Sequence, residues 1–253
     1  RGEWGYIRPL IDICKKKKIN YSICLTNMVV LDSYGGLGKI IKKKNYKVCD
    51  EIEMALEGNN HYSMIKSLNI FGMNFVETLK REKLSWLIIA GDRGEQLIAS
   101  IVAAYTYTPV AHIQAGEKSG NIDGVTRHGI ARFVHFHFAA NKDASNRLLR
   151  SGEEKFRIFN TGAPQLDEIY SGKISKFDIL KKKLGIEKLS NYFVIVFHSV
   201  TEEYKYNKRN INELIKAVNY FDNHKIWILP NNDAGSVIIR NEIENKRELN
   251  NYI

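Results

Sequence analysis

The chain has 253 residues, 44% of them hydrophobic and 11% aromatic, as is typical of a packed globular protein of one large or two ordinary domains. No apolar run approaches the ~20 residues of a membrane span, so an integral membrane protein is not expected. The formal net charge of +10 favours an anionic ligand, but the lysine clusters at 15–18, 42–44 and 181–183 are typical of solvated helix ends and linkers, which disfavours a nucleic-acid-binding protein.

The first fifty residues carry weak structural signals. The opening letters R-G-E-W-G match neither region of a signal peptide, and because they lack a starting Met we expect the natural amino terminus to lie upstream. Apolar spacing predicts a helix over 6–14 and strands over 21–25 and 29–31, whereas 48–57 is ambiguous. The glycines between 35 and 38 predict a turn but lack the strand-to-helix setting of a phosphate loop.

The three cysteines, Cys14, Cys24 and Cys49, are odd in number and lack metal-type spacing. We therefore predict reduced thiols in a cytoplasmic protein. Cys14 falls on a helical face and Cys24 in a strand, so neither is expected to be a nucleophile.

The middle of the chain predicts a βαβ unit. An amphipathic helix over 63–80 comes first, with its apolar face formed by Ile65, Leu68, Phe71, Phe75 and Leu79. A continuous apolar run over 86–90, typical of a strand buried on both faces, is followed by a helix over 95–105 and a strand over 109–114. A strand, a helix and a strand within about thirty residues predict two parallel strands.

Polar side chains follow both of these strands. They are Asp92 and Arg93 after the first strand, Gln114 and Glu117 after the second, and Asp123, Arg127 and His128 at the start of the next helix. Because ligands of open parallel sheets bind beyond the carboxyl ends of the strands, we predict that these groups converge on one crevice. The alternative is structural: Asp123 caps its helix and pairs with Arg127, four residues on.

Strand and helix alternation continues to residue 161 and predicts a doubly wound domain. The predicted elements are a helix over 124–134, a strand over 136–140, a helix over 143–151 and a strand over 157–161. Within them, His135 and His137 share one face of a strand, but no third ligand follows at suitable spacing, so no metal site is expected.

A second α/β domain is predicted to begin after a lysine-rich linker over 171–188. Its elements are a strand over 192–197, a helix over 210–220, a strand over 225–229 and a further helix. Two strands are too few for an independent domain, so we expect the chain to stop midway through it.

Several motifs, in the same order, resemble those of the UDP-N-acetylglucosamine 2-epimerases. They read G-D-R-G-E, H-I-Q-A-G-E-K-S-G-N-I-D-G-V-T-R-H, H-F-A-A-N, N-T-G-A-P-Q-L-D and P-N-N-D-A-G-S. The nearest branch is the hydrolysing one, which makes precursors of sialic and legionaminic acids, and R-G-E-W-G is similar to the R-A-D-Y-G that follows the first strand of that family.

The resemblance implies a GT-B-like pair of Rossmann-type domains with parallel sheets and a nucleotide sugar in the cleft between them. The implied organisation is a first domain over 1–170 whose first strand is missing, a linker over 171–188, and the start of a truncated nucleotide-binding domain over 189–253. It further implies a homo-oligomer, dimeric or tetrameric, that needs no cofactor or metal.

The resemblance also implies roles for individual residues. Arg1 would contact the diphosphate, Asp92 would be an acid or base with Arg93 beside it, Asp123 a second essential carboxylate, His198 a neighbour of the leaving diphosphate, and Asn231 a nucleotide contact. Arg127 would add positive charge at the diphosphate.

Departures from the family pattern qualify these roles. Gln114 stands where many members carry a catalytic glutamate, so either Glu117 substitutes for it or the roles are distributed differently. Ser199 replaces a proline after His198, which we expect to be a minor change. Without the first strand and the later part of the second domain, the fragment is expected to bind its ligand poorly.

The implied reaction is conversion of UDP-N-acetylglucosamine to N-acetylmannosamine and UDP by elimination and hydration through a glycal. Asp92 and Asp123 are the candidates for its two proton transfers, with Glu117 in reserve. Four alternatives stay open: a 2-epimerase of UDP- or GDP-2,4-diacetamido-trideoxyglucose, a non-hydrolysing UDP-N-acetylglucosamine 2-epimerase, a GT-B glycosyltransferase, and an inactive binding module.

Overall fold

The computed structural model describes residues 2–58, 60–172, 176–187 and 191–246. Arg1, the predicted diphosphate contact, lies outside these residues. The described chain packs as two units. The first unit comprises 2–55 and 65–172; the second comprises the rest, including the short segment 56–64 that interrupts the first in sequence.

The helices and strands alternate along the described chain, except for two consecutive helices between residues 167 and 184. Up to residue 90 they are α1 (Gly2–Lys17), β1 (Ile23–Thr26), α2 (Leu37–Lys43), β2 (Val48–Ile52), α3 (His61–Glu82) and β3 (Leu87–Ala90). From residue 94 to 170 they are α4 (Gly94–Tyr105), β4 (Val110–Ile113), α5 (Ile122–Ala131), β5 (Phe136–Ala139), α6 (Lys142–Arg150), β6 (Ile158–Asn160) and α7 (Asp167–Tyr170). They end with α8 (Phe177–Leu184), β7 (Tyr192–Val196), α9 (Asn207–Asn219), β8 (His224–Ile228) and α10 (Ser236–Glu244).

The main sheet of the first unit is parallel and has the order β3-β4-β5-β6. Ala90 pairs with Ile113, and His112 pairs with His137, so neighbouring strands end nearly level. The predicted βαβ unit is confirmed. Since consecutive parallel strands connect by right-handed crossovers, α4, α5 and α6 lie on one face of this sheet and the carboxyl ends of its strands lie side by side.

The core of the first unit lies between α3 and this sheet. Phe71, Phe75 and Leu79 of α3 are buried against Ile89 and Val110. Burying each such side chain contributes about 1.5–3 kcal/mol relative to exposure, so this face anchors the helix. The predicted apolar face extends one turn too far, because Ile65 is 51% exposed.

Two strand predictions are wrong in the first unit. Val29–Leu31 is not a strand, because β1 ends at Thr26 and Asn27, with φ of +54°, turns the backbone into a short 3₁₀ segment. Strand β3 is not buried on both faces: it lies at the edge of its sheet, and Ile88 is 37% exposed. Strand β4, in contrast, is buried throughout.

The second unit contains the parallel pair β7 and β8, packed with α9 and α10. Its core contains Ile195, Ile211, Trp227 and Ile239. The predicted strand–helix–strand–helix order is therefore present, and the sequence predicted as linker holds helix α8. Within the part of the chain that is described, no helix combines the length and apolarity needed to cross a bilayer.

The surroundings of the cysteines and of the two H-F-H histidines indicate structural roles. All three thiols are free, and burial raises the pKa of Cys24 to about 12, which leaves it protonated and unreactive. Nδ1 of His135 accepts from the backbone N–H of Val110 at 3.2 Å, whereas Nε2 of His137 lies 3.1 Å from a carboxylate oxygen of buried Glu153. Among the described residues, no three potential ligands cluster for a metal ion.

Stability should fall in mild acid because of His112. This side chain is fully buried in β4, and desolvation lowers its pKa from 6.5 to about 4. The unfolded state therefore binds a proton more readily, so the stabilisation is complete above pH 6.5 and is lost as the pH falls toward 4. We expect about 2 kcal/mol less unfolding free energy from this group at pH 5 than at pH 7, measured by urea denaturation. His112→Gln should shrink the difference; an unchanged difference in that variant would contradict the assignment.

Candidate functional site

The carboxyl ends of three neighbouring strands bring polar side chains into one row. Asp92 follows β3, Glu117 follows β4 and Asn141 follows β5. The Asn141 side chain donates from Nδ2 to Oε1 of Glu117 at 3.3 Å and accepts from the backbone N–H of Ala144 at 2.8 Å, which caps α6. The amide thus fixes the helix start and the Glu117 carboxylate together.

Arg127 joins the first two strand ends. Its guanidinium is buried on α5, forms an ion pair with Asp92 through Nη2, and donates from Nη1 to the backbone oxygen of Glu117 at 3.1 Å. A guanidinium presents several donors in a rigid plane, so one side chain can hold two loops in a fixed relation. The alternative predicted from the sequence is a pair between Arg127 and Asp123. The structure instead pairs Arg127 with Asp92.

Asp123 lies one helical turn before Arg127 in α5. Positions four residues apart share a helix face, so its carboxylate is on the side of α5 that carries the Arg127–Asp92 pair. It is partly exposed and accepts from Nδ2 of Asn121 at 3.1 Å. The capping alternative is wrong in one respect, because Asn121 and not Asp123 is the N-cap residue.

Arg93 is oriented by a buried carboxylate that the sequence reasoning missed. Glu95, in the first turn of α4, lies 3.5 Å from Nε of Arg93 through Oε2 and accepts from Nδ2 of Asn27 through Oε1. These three side chains line a cavity of about 130 Å³ at the carboxyl end of β1. The signal for Glu95 was the final letter of G-D-R-G-E.

Gln114 and Glu117 have different environments. Gln114 is buried in a left-handed backbone conformation, with φ of +64°, and its Oε1 has no hydrogen-bond partner among the described atoms. Glu117 is partly exposed and held by Asn141. A carboxylate at 117 is therefore better placed than the amide at 114 to exchange protons with a ligand.

His112 holds the backbone at the start of the Asp92 loop. Its buried Nε2 donates to the backbone oxygen of Gly91 at 2.6 Å, which fixes the residue immediately before Asp92. Because its pKa is lowered to about 4, the imidazole is neutral at physiological pH and adds no charge next to Arg127.

His128 belongs to a positively charged neighbourhood. Burial lowers its pKa, and the nearby guanidinium groups of Arg147, Arg127 and Arg132 lower it further. Arg147 donates from Nη1 to the backbone oxygen of Gly116 at 2.7 Å. Gly116 has φ of +78°, and a Cβ there would lie 2.5 Å from the Ala144 oxygen, so this close loop requires glycine.

The second unit holds the two remaining predicted residues on loops after its strands. His198 follows β7 and is exposed; Asn231 follows β8 and donates from Nδ2 to the Asp233 carboxylate. Ser199 ties these loops together, since its hydroxyl donates to the Ala234 oxygen at 2.5 Å and accepts from Nδ2 of Asn207 at 2.7 Å. The serine therefore has a structural role that the expectation of a minor change overlooked.

Comparison with protein families and relatives places the chain in context. A family model described as UDP-N-acetylglucosamine 2-epimerase matches residues 12–252. A UDP-N,N'-diacetylbacillosamine 2-epimerase (hydrolyzing) of Legionella pneumophila is 32% identical over 245 residues, which are 96% of this chain and 65% of the relative. A UDP-N-acetylglucosamine 2-epimerase of Neisseria meningitidis is 28% identical, with coverage of 96% and 64%. The chain thus spans about two thirds of the length of these relatives.

Solved structures share the fold. The N. meningitidis UDP-GlcNAc 2-epimerase bound to UDP-GlcNAc matches with a TM-score of 0.74 at 18% identity, covering 98% of this chain and 68% of that one. The Methanocaldococcus jannaschii enzyme in complex with UDP-GlcNAc and UDP matches with a TM-score of 0.78 at 17% identity, covering 100% and 70%. The predicted α/β fold with parallel sheets is confirmed.

Proposed function

The chain belongs to the UDP-N-acetylglucosamine 2-epimerase family, and we propose that the full-length protein is a hydrolysing 2-epimerase of a UDP-linked 2-acetamido sugar. The main observation that supports this proposal is the pair of contacts made by Arg127, which forms an ion pair with Asp92 and a hydrogen bond with the backbone of the Glu117 loop. Two acidic side chains at adjacent strand ends suit a reaction that moves two protons.

The reaction needs two proton transfers at one carbon. A carboxylate removes the proton from C2 of the sugar while the C1–oxygen bond to the diphosphate breaks, which leaves a glycal and UDP. Water then adds its oxygen to C1 and releases a proton to solvent, and a second side chain, acting as an acid, returns a proton to C2 from the opposite face. The products are the free 2-epimer and UDP, and each positioned acid or base contributes about 10²–10⁴ in rate.

We assign the two proton transfers to Asp92 and Glu117, with Asp123 as the third carboxylate of the site. Arg127 binds the Asp92 carboxylate and the backbone oxygen of Glu117, so it holds the two loops in a fixed relation, which supports their acidic side chains as the pair. Arg93, oriented by Glu95, and the arginines near His128 supply positive charge for the leaving diphosphate, and His128, whose pKa is lowered, is assigned as a neutral substrate contact. His198, Asn231 and Arg1 keep the nucleotide-binding roles expected from the family, and Gln114 has a supporting role.

Two substrates are candidates. The relative that is 32% identical is named for UDP-N,N'-diacetylbacillosamine, and a Campylobacter jejuni relative named for GDP/UDP-N,N'-diacetylbacillosamine is 27% identical. The relative named for UDP-N-acetylglucosamine is 28% identical. These identities favour the diacetamido sugar as the first substrate to test, with UDP-N-acetylglucosamine, the expectation from sequence, as the second.

Product analysis tests the proposal. The full-length protein is incubated with each UDP sugar in D₂O, and the mixture is followed by ¹H and ³¹P NMR. We expect UDP and a free sugar with inverted C2 that carries deuterium there, because the returning proton comes from a group in exchange with solvent. An epimer still attached to UDP would indicate a non-hydrolysing enzyme, transfer only to an added acceptor would indicate a glycosyltransferase, and binding without turnover would indicate an inactive module.

A further inference from the structure

Helix α1 lies over the start of the Asp92 loop. A Cβ on Gly91 would lie 3.4 Å from Cε2 of Tyr6 and 3.6 Å from Cγ of Glu3. Gly91 directly precedes Asp92 and has φ of +82°, a conformation that favours glycine. The ring of Tyr6 therefore packs on the backbone that presents Asp92, from an element that is distant in sequence.

Tyr6 lies within electrostatic reach of the two carboxylates that are proposed to transfer protons. Glu3 on its own helix, Asp92 after β3 and Glu117 after β4 raise the pKa of Tyr6, after burial as the largest cause, and Arg127 on α5 lowers it. Four elements thus place charged groups within electrostatic reach of one phenol. A phenol with a raised pKa stays protonated at any physiological pH, so Tyr6 acts here as a neutral hydrogen-bond donor and not as a base.

The hydroxyl of Tyr6 is available for a ligand. The ring is half-buried, and the hydroxyl forms no hydrogen bond with any residue in the described ranges. Packing on Gly91 requires only the ring, which phenylalanine would supply equally well. The hydroxyl therefore adds a donor that the described fold does not use.

We propose that Tyr6 contacts the substrate, and that its hydroxyl donates a hydrogen bond to an oxygen of the acetamido sugar held between Asp92 and Glu117. The proposal rests on the proposed function, because the sugar is the ligand whose oxygens would meet this donor. Tyr6 then positions the ring of the sugar against the carboxylates and takes no part in moving protons. It lies outside the R-G-E-W-G letters that carried the family resemblance.

Tyr6→Phe tests the proposal in the full-length protein. We expect kcat/KM to fall about tenfold, the loss of one useful hydrogen bond, while the thermal midpoint and the affinity for UDP alone stay at wild-type values. The matched control is Tyr105→Phe, which removes the hydroxyl of a tyrosine that is 81% exposed on α4 and should leave all three quantities unchanged.

Two results would overturn the proposal. One is wild-type kcat/KM in Tyr6→Phe; the other is a loss matched by weaker UDP binding or a lower thermal midpoint, which indicates a structural role. If the wild-type protein binds the UDP sugar but does not turn it over, the proposed function fails by itself. Calorimetry then tests the role of Tyr6 separately. Tyr6→Phe must bind the UDP sugar about tenfold more weakly than wild type does, and it must bind UDP as tightly as wild type does.

Discussion

Asp92→Asn in the full-length protein is expected to lower kcat by about 10²–10⁴, because an amide cannot take the proton that a carboxylate removes from C2. Asparagine keeps the size of the side chain and an oxygen that can accept from Arg127. The fold should therefore be disturbed less than by alanine, and the affinity for UDP should stay near wild type. Turnover is measured by UDP release and binding by calorimetry.

The choice of asparagine matters because Arg127 is buried. Alanine at position 92 would leave the guanidinium with neither a charge nor an acceptor opposite it, and breaking a buried ion pair in this way costs about 3–5 kcal/mol, whereas asparagine keeps the acceptor. A loss of activity in that variant would not separate chemistry from folding. Asp143→Asn is the matched control: Asp143 is also paired with an arginine, but its side chain is 71% exposed. Turnover of Asp92→Asn within a few-fold of this control would remove Asp92 from the reaction.

The strand ends that carry the candidate site residues could be predicted from the sequence because local rules place them. Apolar runs that stop at Gly91 and at Ala115 define two strand ends, and parallel pairing brings those ends to one edge of the sheet. The residues after each strand, Asp92 and Glu117, follow from counting alone. No knowledge of side-chain contacts is needed for that step.

The partners within the site could not be predicted in the same way. Arg127 has a carboxylate four residues earlier at Asp123, and helical spacing alone favours that pair. The structure instead pairs it with Asp92, 35 residues away, which places this side of α5 beside the loop after β3. Such a choice depends on how the helix packs on the sheet, which periodicity does not encode.

Non-local packing also explains the other omissions. Tyr6 reaches the site only because α1 packs near β3, and residues 56–64 pack with the second unit although the chain on both sides of them belongs to the first. The apolar letters of Val29–Leu31 predict a strand, but the left-handed Asn27 ends β1 before them. Tyr6 and residues 56–64 depend on tertiary contacts, and the end of β1 depends on the backbone conformation of one residue; apolar spacing encodes neither.

Glu117→Gln is expected to lower kcat by about 10²–10⁴, and Gln114→Glu is expected not to restore it. Glu117 is partly exposed and held by Asn141, whereas the side chain of Gln114 is buried and its Oε1 has no hydrogen-bond partner among the described atoms. A glutamate at 114 would bury a charge without a donor, which costs several kcal/mol or forces the carboxyl group to stay protonated. The two positions are therefore not interchangeable, although the family resemblance implies a glutamate at the first.

Three variants separate these possibilities: Glu117→Gln, the double variant Gln114→Glu with Glu117→Gln, and the control Glu154→Gln on an exposed side chain. If Glu117 moves a proton, the single and double variants are equally slow, and the control is as fast as wild type in UDP release. Recovery of turnover in the double variant would show that the proton-transfer site remains at position 114. Wild-type turnover in Glu117→Gln would show instead that Asp123 partners Asp92, since it is the remaining carboxylate on the face of α5 that carries Arg127.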